Sequence, residues 1–447
     1  MLQSSLKKSR LIQTYQVKLK TKPDLISLAR CFPKKFPALL NSHIHNSKTG
    51  RYSILFAKSG KIVKAYDLKE LTELFGVFDQ KIATTTNNSL PFYSGWFIYL
   101  SYASIMVWEK VLANTQHDKT QPLAITIRCR SAIIVDHIQN EAWIAADEKS
   151  QLTKLKQILQ KHIKCKPQAY PRLQVLADDV KNYIKNVEIA KDYIKSGDVY
   201  QVNLARKWQI KSSKEIDIHA LYKSLSQNNP APFAGLLQTE NFVIISSSPE
   251  RLVKIANNKI ESRPIAGTRP RHRNQYEDQQ LIDELINHPK EQAEHIMLID
   301  LTRNDLGRVS ETGSVKVDEF MQIESYAKVH HIVSNITGKL QPDVTFYDVI
   351  KATFPGGTIT GCPKIRCMQI IDELEDGARG AYTGSMGYIT TDGRMDLNIL
   401  IRTFTLANKQ LSFHAGAGIV YDSVPSEEAQ ESQYKAQALI NSIKALI

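Results

Sequence analysis

The stretch from Ala381 to Asp422, "AYTGSMGYITTDGRMDLNILIRTFTLANKQLSFHAGAGIVYD", limits the fold more than any other part of the chain. Its apolar residues alternate with small and polar ones in runs of strand length. Turn signals at Asp392-Gly393 and Asn408-Lys409 break it at hairpin spacing. Hairpins join antiparallel strands, whereas parallel strands need long helical crossovers. The same alternation fills much of the first 150 residues, in "RYSILFAKSG", "LAITIRCRSAIIVD" and "EAWIAAD". Helical periodicity lies near residues 178–196, 290–306, 363–375 and 426–446. Strand pairs and helices in this order predict an α+β fold. A helix near 150–164, followed by the polar, proline-bearing "CKPQAYPR", marks a boundary between a strand-rich N-terminal subdomain, 1–170, and a C-terminal region, 171–447.

With 447 residues and 42% hydrophobic content, the chain can bury a substantial core. The uncharged run from Phe92 to Trp108, "FYSGWFIYLSYASIMVW", is short for a membrane span and contains Ser94, Ser101 and Ser104. It reads as a buried strand leading into other structure. The basic N-terminus has no apolar core of signal-peptide length. Cys31, Cys129, Cys165, Cys362 and Cys367 are odd in number and scattered, which favours reduced cytoplasmic thiols over a disulfide framework or zinc site. The net charge of +13 raises a nucleic-acid-binding alternative. Its densest patch, Lys154 to Lys166, lacks interleaved aromatics and reads as a solvated helix face. Its field would steer an anionic substrate.

Two predicted helices carry paired carboxylates. In "HPKEQAEHIMLIDLTRND" Pro289 suits a first helical turn, and Glu291 and Glu294 share a face. In "VPSEEAQESQYKAQALINSIKALI" Glu428 and Glu431 repeat the spacing, with Lys435 one turn beyond. One such pair usually decorates a solvated helix; two converging pairs would suit a hard cation such as Mg²⁺. In "FPGGTITGCPKIRCMQIIDELE" Gly356, Gly357 and Gly361 precede a helix expected from Pro363, where Thr358 and exposed amides would hold a carboxylate. Gly416 and Gly418 lie in a strand pattern, which marks a bulge or close ligand approach. Tyr382 and Arg402 come from preceding strands, and a planar arginine suits a carboxylate. Taken alone, His330 and His331 read as core histidines.

In order along the chain, "GDVYQVNLAR", "SSSPERLV", "PIAGTRPR", "KEQAEHIMLIDLTRND", "HHIVS", "FPGGTITGCPK", "YTGSMGY", "IRT", "AGAGIV" and "EEAQESQYKA" resemble the chorismate-utilising enzymes. These include the large subunits of anthranilate and aminodeoxychorismate synthases and the isochorismate and salicylate synthases. The resemblance runs from about Tyr183 to the C-terminus. It implies an anthranilate synthase component I-like fold, with two large, mostly antiparallel sheets packed between helical layers. Residues 171–447 would be the chorismate-binding catalytic region, intertwined with the N-terminal part.

Carried over motif by motif, Glu291, Glu294, Glu428 and Glu431 would surround Mg²⁺ at the ring carboxylate, positioned with Thr358. Tyr382, Arg402, the Gly416 backbone and Lys435 would hold the enolpyruvyl carboxylate, with Gly418 also substrate-binding; His331 would line the ring, Thr268 would offer a hydroxyl in the pocket wall, and Glu250 would protonate the departing C4 hydroxyl. Gln201 stands where the isochorismate and salicylate synthases carry a water-activating lysine, which points to amination. "FPGGTITG", "HHIVS" and "IIDELE" favour the aminodeoxychorismate branch, and "ALLNS" lacks the glutamate of the tryptophan-sensing "LLES". Ala266 occupies the position of the lysine nucleophile in "PIKGT", and so favours the anthranilate branch. No glutaminase elbow is present, so ammonia would come from a separate glutamine amidotransferase subunit. Neither nucleic acid nor membrane is an expected partner.

Overall fold

The computed structural model describes residues 14–45, 48–82, 89–160, 173–177, 179–326 and 329–446. Both expected hairpins form: Ser385–Thr390 pairs antiparallel with Met395–Asn398, and Thr403–Ala407 with Gln410–Ile419. Asn408 and Lys409 both adopt positive φ, 49° and 66°. The right-handed twist of a two-residue hairpin demands this, even where lysine replaces the usual glycine.

Every strand pairing among the described residues is antiparallel. The twenty strands join one hydrogen-bonded network, where two sheets were expected. The joining has a local cause, because some strands serve two neighbourhoods. Arg251–Ala256 pairs with Lys259–Ser262 on one side and with Met395–Asn398 on the other. Chain segments far apart in sequence are also interleaved: Ala38–Leu40 lies on Phe233–Gln238, and Gly95–Leu100 on Ser385–Thr390.

The anticipated helices span Val180–Lys195, Pro289–Gly307, Lys364–Leu374 and Pro425–Lys444. Asp179 caps the first through the backbone N–H of Lys181, and prolines open the second and the last. Pro289–Gly307 packs on the strands Ile265–Pro270 and Val329–Lys339, while Pro425–Lys444 packs on Gln410–Ile419. The two glutamate-bearing helices are thereby fixed to the same sheet system. A core containing Ile299, Leu306, Phe354 and Ile399 holds the first, and one containing Trp208, Phe413, Leu439 and Ile443 holds the second.

The run from Phe92 to Trp108 becomes the strand Gly95–Leu100 followed by a 3₁₀ turn, Tyr102–Val107. No helix among the described residues is long and apolar enough to cross a membrane. The helix expected near 150–164 is described over Lys149–Leu159. The link "CKPQAYPR" and Cys165 lie outside the described residues. Cys129, Cys362 and Cys367 are free thiols, but Cys31 is disulfide-bonded, which corrects the expectation of reduced cysteines throughout. Disulfide pairing depends on Cα separation in the fold, which scattered sequence positions do not reveal.

Candidate active site

Glu291 and Glu294 share one side of the helix Pro289–Gly307, and the partner helix brings Glu431 within electrostatic reach of Glu294. Burial raises the pKa of Glu294, and Glu291 and Glu431 push it further in the same direction. Glu428, 7% exposed, is raised by burial and by Glu431. Glu291 and Glu431 thus lie within electrostatic reach of Glu294, and Glu431 of Glu428, and a hard divalent cation would relieve the raised pKa of the two buried carboxyls. The donor type fits Mg²⁺. The set is not drawn together, since no three His, Cys, Asp or Glu side chains among the described residues lie close enough to hold a metal ion. Instead Arg269 Nη1 donates to Glu291 at 3.1 Å, and Lys435 Nζ to Glu431 at 2.6 Å.

Gln201 ties the sheet to this cluster by donating from Nε2 to Glu294 Oε1 at 3.0 Å. Its side chain crosses Gly418 on the neighbouring strand, where a Cβ would lie 2.2 Å from Gln201 Nε2. The glycine of "AGAGIV" is thus the space through which Gln201 reaches the glutamate. At Gly416 a Cβ would stand 2.1 Å from the Leu204 carbonyl oxygen, so strand packing fixes that residue.

Glu250 lies elsewhere in the site and is 5% exposed. Burial raises its pKa to about 7, although the Thr358 hydroxyl and the Ile265 backbone N–H both favour the ionised form. Thr358 Oγ1 donates to Glu250 Oε1 at 2.7 Å. A carboxyl group poised near neutrality in a dry setting is suited to general acid work. The glycine loop does not feed straight into its helix as expected. A 3₁₀ turn, Gly357–Ile359, and a two-residue strand, Gly361–Cys362, intervene, the latter pairing with Gln201–Val202. Thr358 is therefore delivered to Glu250 rather than to a helix terminus.

Three arginines of "ESRPIAGTRPRHR" find partners. Arg263 bridges Glu319 and Glu324; Arg269 bridges Glu284 and Glu291; Arg271 holds Asp278, which also bonds His330. These contacts make His330 structural, 0% exposed, as the residue type suggested. His331 is different. Burial lowers its pKa to about 4, so the ring is neutral at pH 7. Its Nδ1 lies 3.0 Å from Thr268 Oγ1 and 3.3 Å from the Gly267 oxygen. Because a carbonyl only accepts, the second contact places the hydrogen on Nδ1 and leaves Nε2 a lone pair. Gly267 has φ 65° at a register shift, and a Cβ there would come within 2.9 Å of Glu291 Oε2. Ala266 beside it is buried.

Tyr382 stacks on His414 at 5.3 Å, and Arg402 donates to the Lys435 oxygen at 2.8 Å. Thr383 and Arg402 hold positive φ, 61° and 54°, which is strained for side chains other than glycine and concentrates at functional sites. Sequence reasoning passed over the pair Glu375–Arg379 beneath them. Arg379 lies 5.5 Å from the Tyr382 ring and donates to the Asn203 oxygen, while Glu375 accepts from the Ala205 backbone N–H. Its one signal was the i,i+4 spacing in "ELEDGAR". Equally unforeseen was a cleft of about 910 Å³ against the helix Pro289–Gly307, lined by Ile296, Met297, Asp300, Asn304 and Asp305 but not by Glu291 or Glu294.

Residues 41–441 match the family of chorismate binding enzymes. The chain is 42% identical over 370 residues to an anthranilate synthase component I-like protein of Synechocystis, covering 82% of this chain and 76% of that one. It is 38% identical over 445 residues to aminodeoxychorismate synthase component 1 of Bacillus subtilis (91% and 93%). It is 36% identical over 445 residues to anthranilate synthase component 1 of Aquifex aeolicus (92% and 90%). The crystal structure of anthranilate synthase component I from Streptococcus pneumoniae superposes with a TM-score of 0.77 at 32% identity, covering 89% of this chain and 93% of that chain. With the fold, the motif order and the carboxylate-rich site in agreement, this chain belongs to the chorismate-binding enzymes.

Proposed function

We propose that the chain is an aminodeoxychorismate synthase component I, which converts chorismate and ammonia to 4-amino-4-deoxychorismate and water on the way to p-aminobenzoate and folate. The observation that carries amination is Gln201, a neutral amide bonded to Glu294 where water-adding members carry lysine. An amide does not take a proton from water, whereas ammonia is a nucleophile without such help. Glu250 donates its proton to the C4 hydroxyl, which then leaves as water instead of hydroxide. Thr358 fixes the carboxyl that does this. Arg402 and Lys435 supply positive charge for the enolpyruvyl carboxylate, with Tyr382 and the Gly416 backbone beside it. Neutral His331 lines the ring. Glu291, Glu294, Glu428 and Glu431 would hold Mg²⁺, which supplies Lewis-acid stabilisation of the ring carboxylate. A separate glutamine amidotransferase supplies the ammonia, in keeping with the component 1 names of the relatives.

Anthranilate formation is the second reading, and Ala266 favours it, because no lysine is present to occupy ring C2. Incubation with chorismate, Mg²⁺ and ammonium, followed by product identification, decides between them. A product that becomes p-aminobenzoate only after a separate lyase acts supports the C4 assignment. Fluorescent anthranilate with pyruvate overturns it, and isochorismate overturns amination.

A further inference from the structure

The acidic face of the helix Pro289–Gly307 does not stop at Glu294. Asp305 lies eleven residues further, about three turns or 16 Å along the axis, on the same side. It is 6% exposed and bound by Lys364 Nζ at 2.6 Å, the first residue of the helix Lys364–Leu374. Burial raises the pKa of Asp305; Lys364 and, more weakly, Arg308 oppose the shift. An ion pair taken this far from water is a poor source of stability, because desolvation offsets its attraction. Its position between two cavities gives it another use.

The inner cavity measures about 20 Å³ and is lined by Glu250, Ser262, Thr302, Asp305, Thr353 and Thr358, among others. That is room for one water, and the polar walls offer the two to four partners such a water needs. The outer cavity is the 910 Å³ cleft, where Asp305 and Lys364 meet exposed Tyr200 and Ile296. Glu109, Asp300, Arg308 and Lys351 are the other charged groups around it. Among the described residues, Asp305 is the one side chain that lines both spaces. Beside it the wall is closed: Leu301 faces the cleft and presses on Gly357, where a Cβ would lie 2.1 Å from Leu301 Cδ2.

We propose that Asp305 and Lys364 form the route by which Glu250 regains its proton from solvent, through one water in the inner cavity. The proposal rests on Glu250 acting as the acid. When the C4–O bond breaks, its electron pair stays with oxygen, and the Glu250 O–H proton makes the leaving group water. The inner water then protonates the Glu250 carboxylate and takes a proton from the Asp305 carboxyl, which Lys364 has just supplied. Lys364 recovers its proton from water in the cleft. One proton enters per hydroxyl released, and ammonia sheds one as its bond to carbon forms, so the reaction balances. Asp305 and Lys364 are positioning and relay groups and touch no substrate.

The decisive variants are Asp305→Asn and Lys364→Arg in the full chain. Arginine keeps the ion pair but does not give up its proton, so it separates the relay from a purely structural role. Both variants are expected to lower kcat about a hundredfold with KM for chorismate within about twofold, and Asp305→Glu to restore most of the rate. A second readout does not depend on turnover. Infrared spectroscopy after mixing into D₂O follows deuterium entry into the Glu250 carboxyl, whose band is assigned by its loss in Glu250→Gln. That entry is expected to slow at least about tenfold in both variants. Unchanged kcat in Lys364→Arg, or unchanged deuterium entry in either variant, overturns the relay. A parent protein that leaves chorismate untouched overturns the proposed function, while the deuterium measurement still decides the route.

Discussion

Two acidic regions of the same site are built in opposite ways. Around Glu250 each polar group has a partner already in place: Thr358 and Ile265 donate to it, and Lys364 holds Asp305 across the inner cavity. Around Glu291, Glu294, Glu428 and Glu431, carboxylates face carboxylates, and borrowed cations, Arg269 and Lys435, quiet them. The first arrangement is finished and tunes one proton. The second is frustrated and stores a preference for positive charge. Preorganised groups act without moving, whereas a crowded anionic cluster gains most when a cation and substrate arrive together.

The sharpest way to break this contrast is Glu294→Gln. The new amide oxygen can still accept from Gln201, so the fold survives while the proposed cation would lose a charged ligand. Turnover is expected to fall by about a thousandfold or more. Thermal stability at pH 8 is expected to hold or rise, since a buried carboxylate whose pKa is raised in the fold weakens stability as pH increases. Full activity in the variant, or a collapse of the fold, would remove the frustrated-cluster description.

Glu250→Gln tests the finished region. The expected loss in kcat is about a hundredfold or more, with KM little altered. The pH dependence has a defined sign. Glu250 keeps its proton up to about 7 in the fold, whereas an unfolded glutamate releases it near ~4.3. In that window the folded chain binds the extra proton, so stability falls as pH rises through it, by about 4 kcal/mol. Parent kcat is expected to decline as pH rises past about 7. Melting curves from pH 4 to 9 should show the slope in the parent and its loss in the glutamine variant. Parallel curves would mean that Glu250 is ionised in the fold.

A smaller effect separates two neighbouring glycines. At Gly418 the obstacle to a methyl group is the flexible end of Gln201, and at Gly416 it is a backbone oxygen. Gly418→Ala is expected to fold and to lose about one hydrogen bond's worth of rate, roughly fivefold, as Gln201 swings off Glu294. Gly416→Ala is expected to disturb the strand itself and to be recovered poorly in soluble form. Equal behaviour would refute the distinction.

These comparisons also separate what was legible in the chain from what was not. The hairpins at Asp392-Gly393 and Asn408-Lys409 and the helices that open at Pro289 and Pro425 follow from short-range rules of period and turn chemistry, and they formed as expected. The two glutamate pairs were visible as spacings, and their joint crowding was a matter of tertiary packing. The roles of Arg269, Asp305 and Lys364 were not legible, because each depends on a partner between 22 and 59 positions away. The merger of two expected sheets into one network was hidden for the same reason. It depends on strands such as Arg251–Ala256 that pair on both edges, and periodicity says nothing about which edges are free.

The smallest test returns to "PIAGT". Thr268 Oγ1 and the Gly267 oxygen both face His331 Nδ1, but only the hydroxyl can also donate. Thr268→Val removes it while keeping the branched shape that suits the strand. Thr268 itself is exposed, so the loss in stability is expected to be about 0.5 kcal/mol, hard to see in a melt. The tautomer is the better readout. With the carbonyl as sole partner, Nδ1 must carry the hydrogen, and ¹⁵N chemical shifts of His331 should keep the protonated-Nδ1 pattern, with activity reduced only a few-fold. A switch to hydrogen on Nε2 would mean that Thr268, by accepting from Nδ1–H, had been what held the Nδ1 tautomer, and the ring would then face the substrate as a donor.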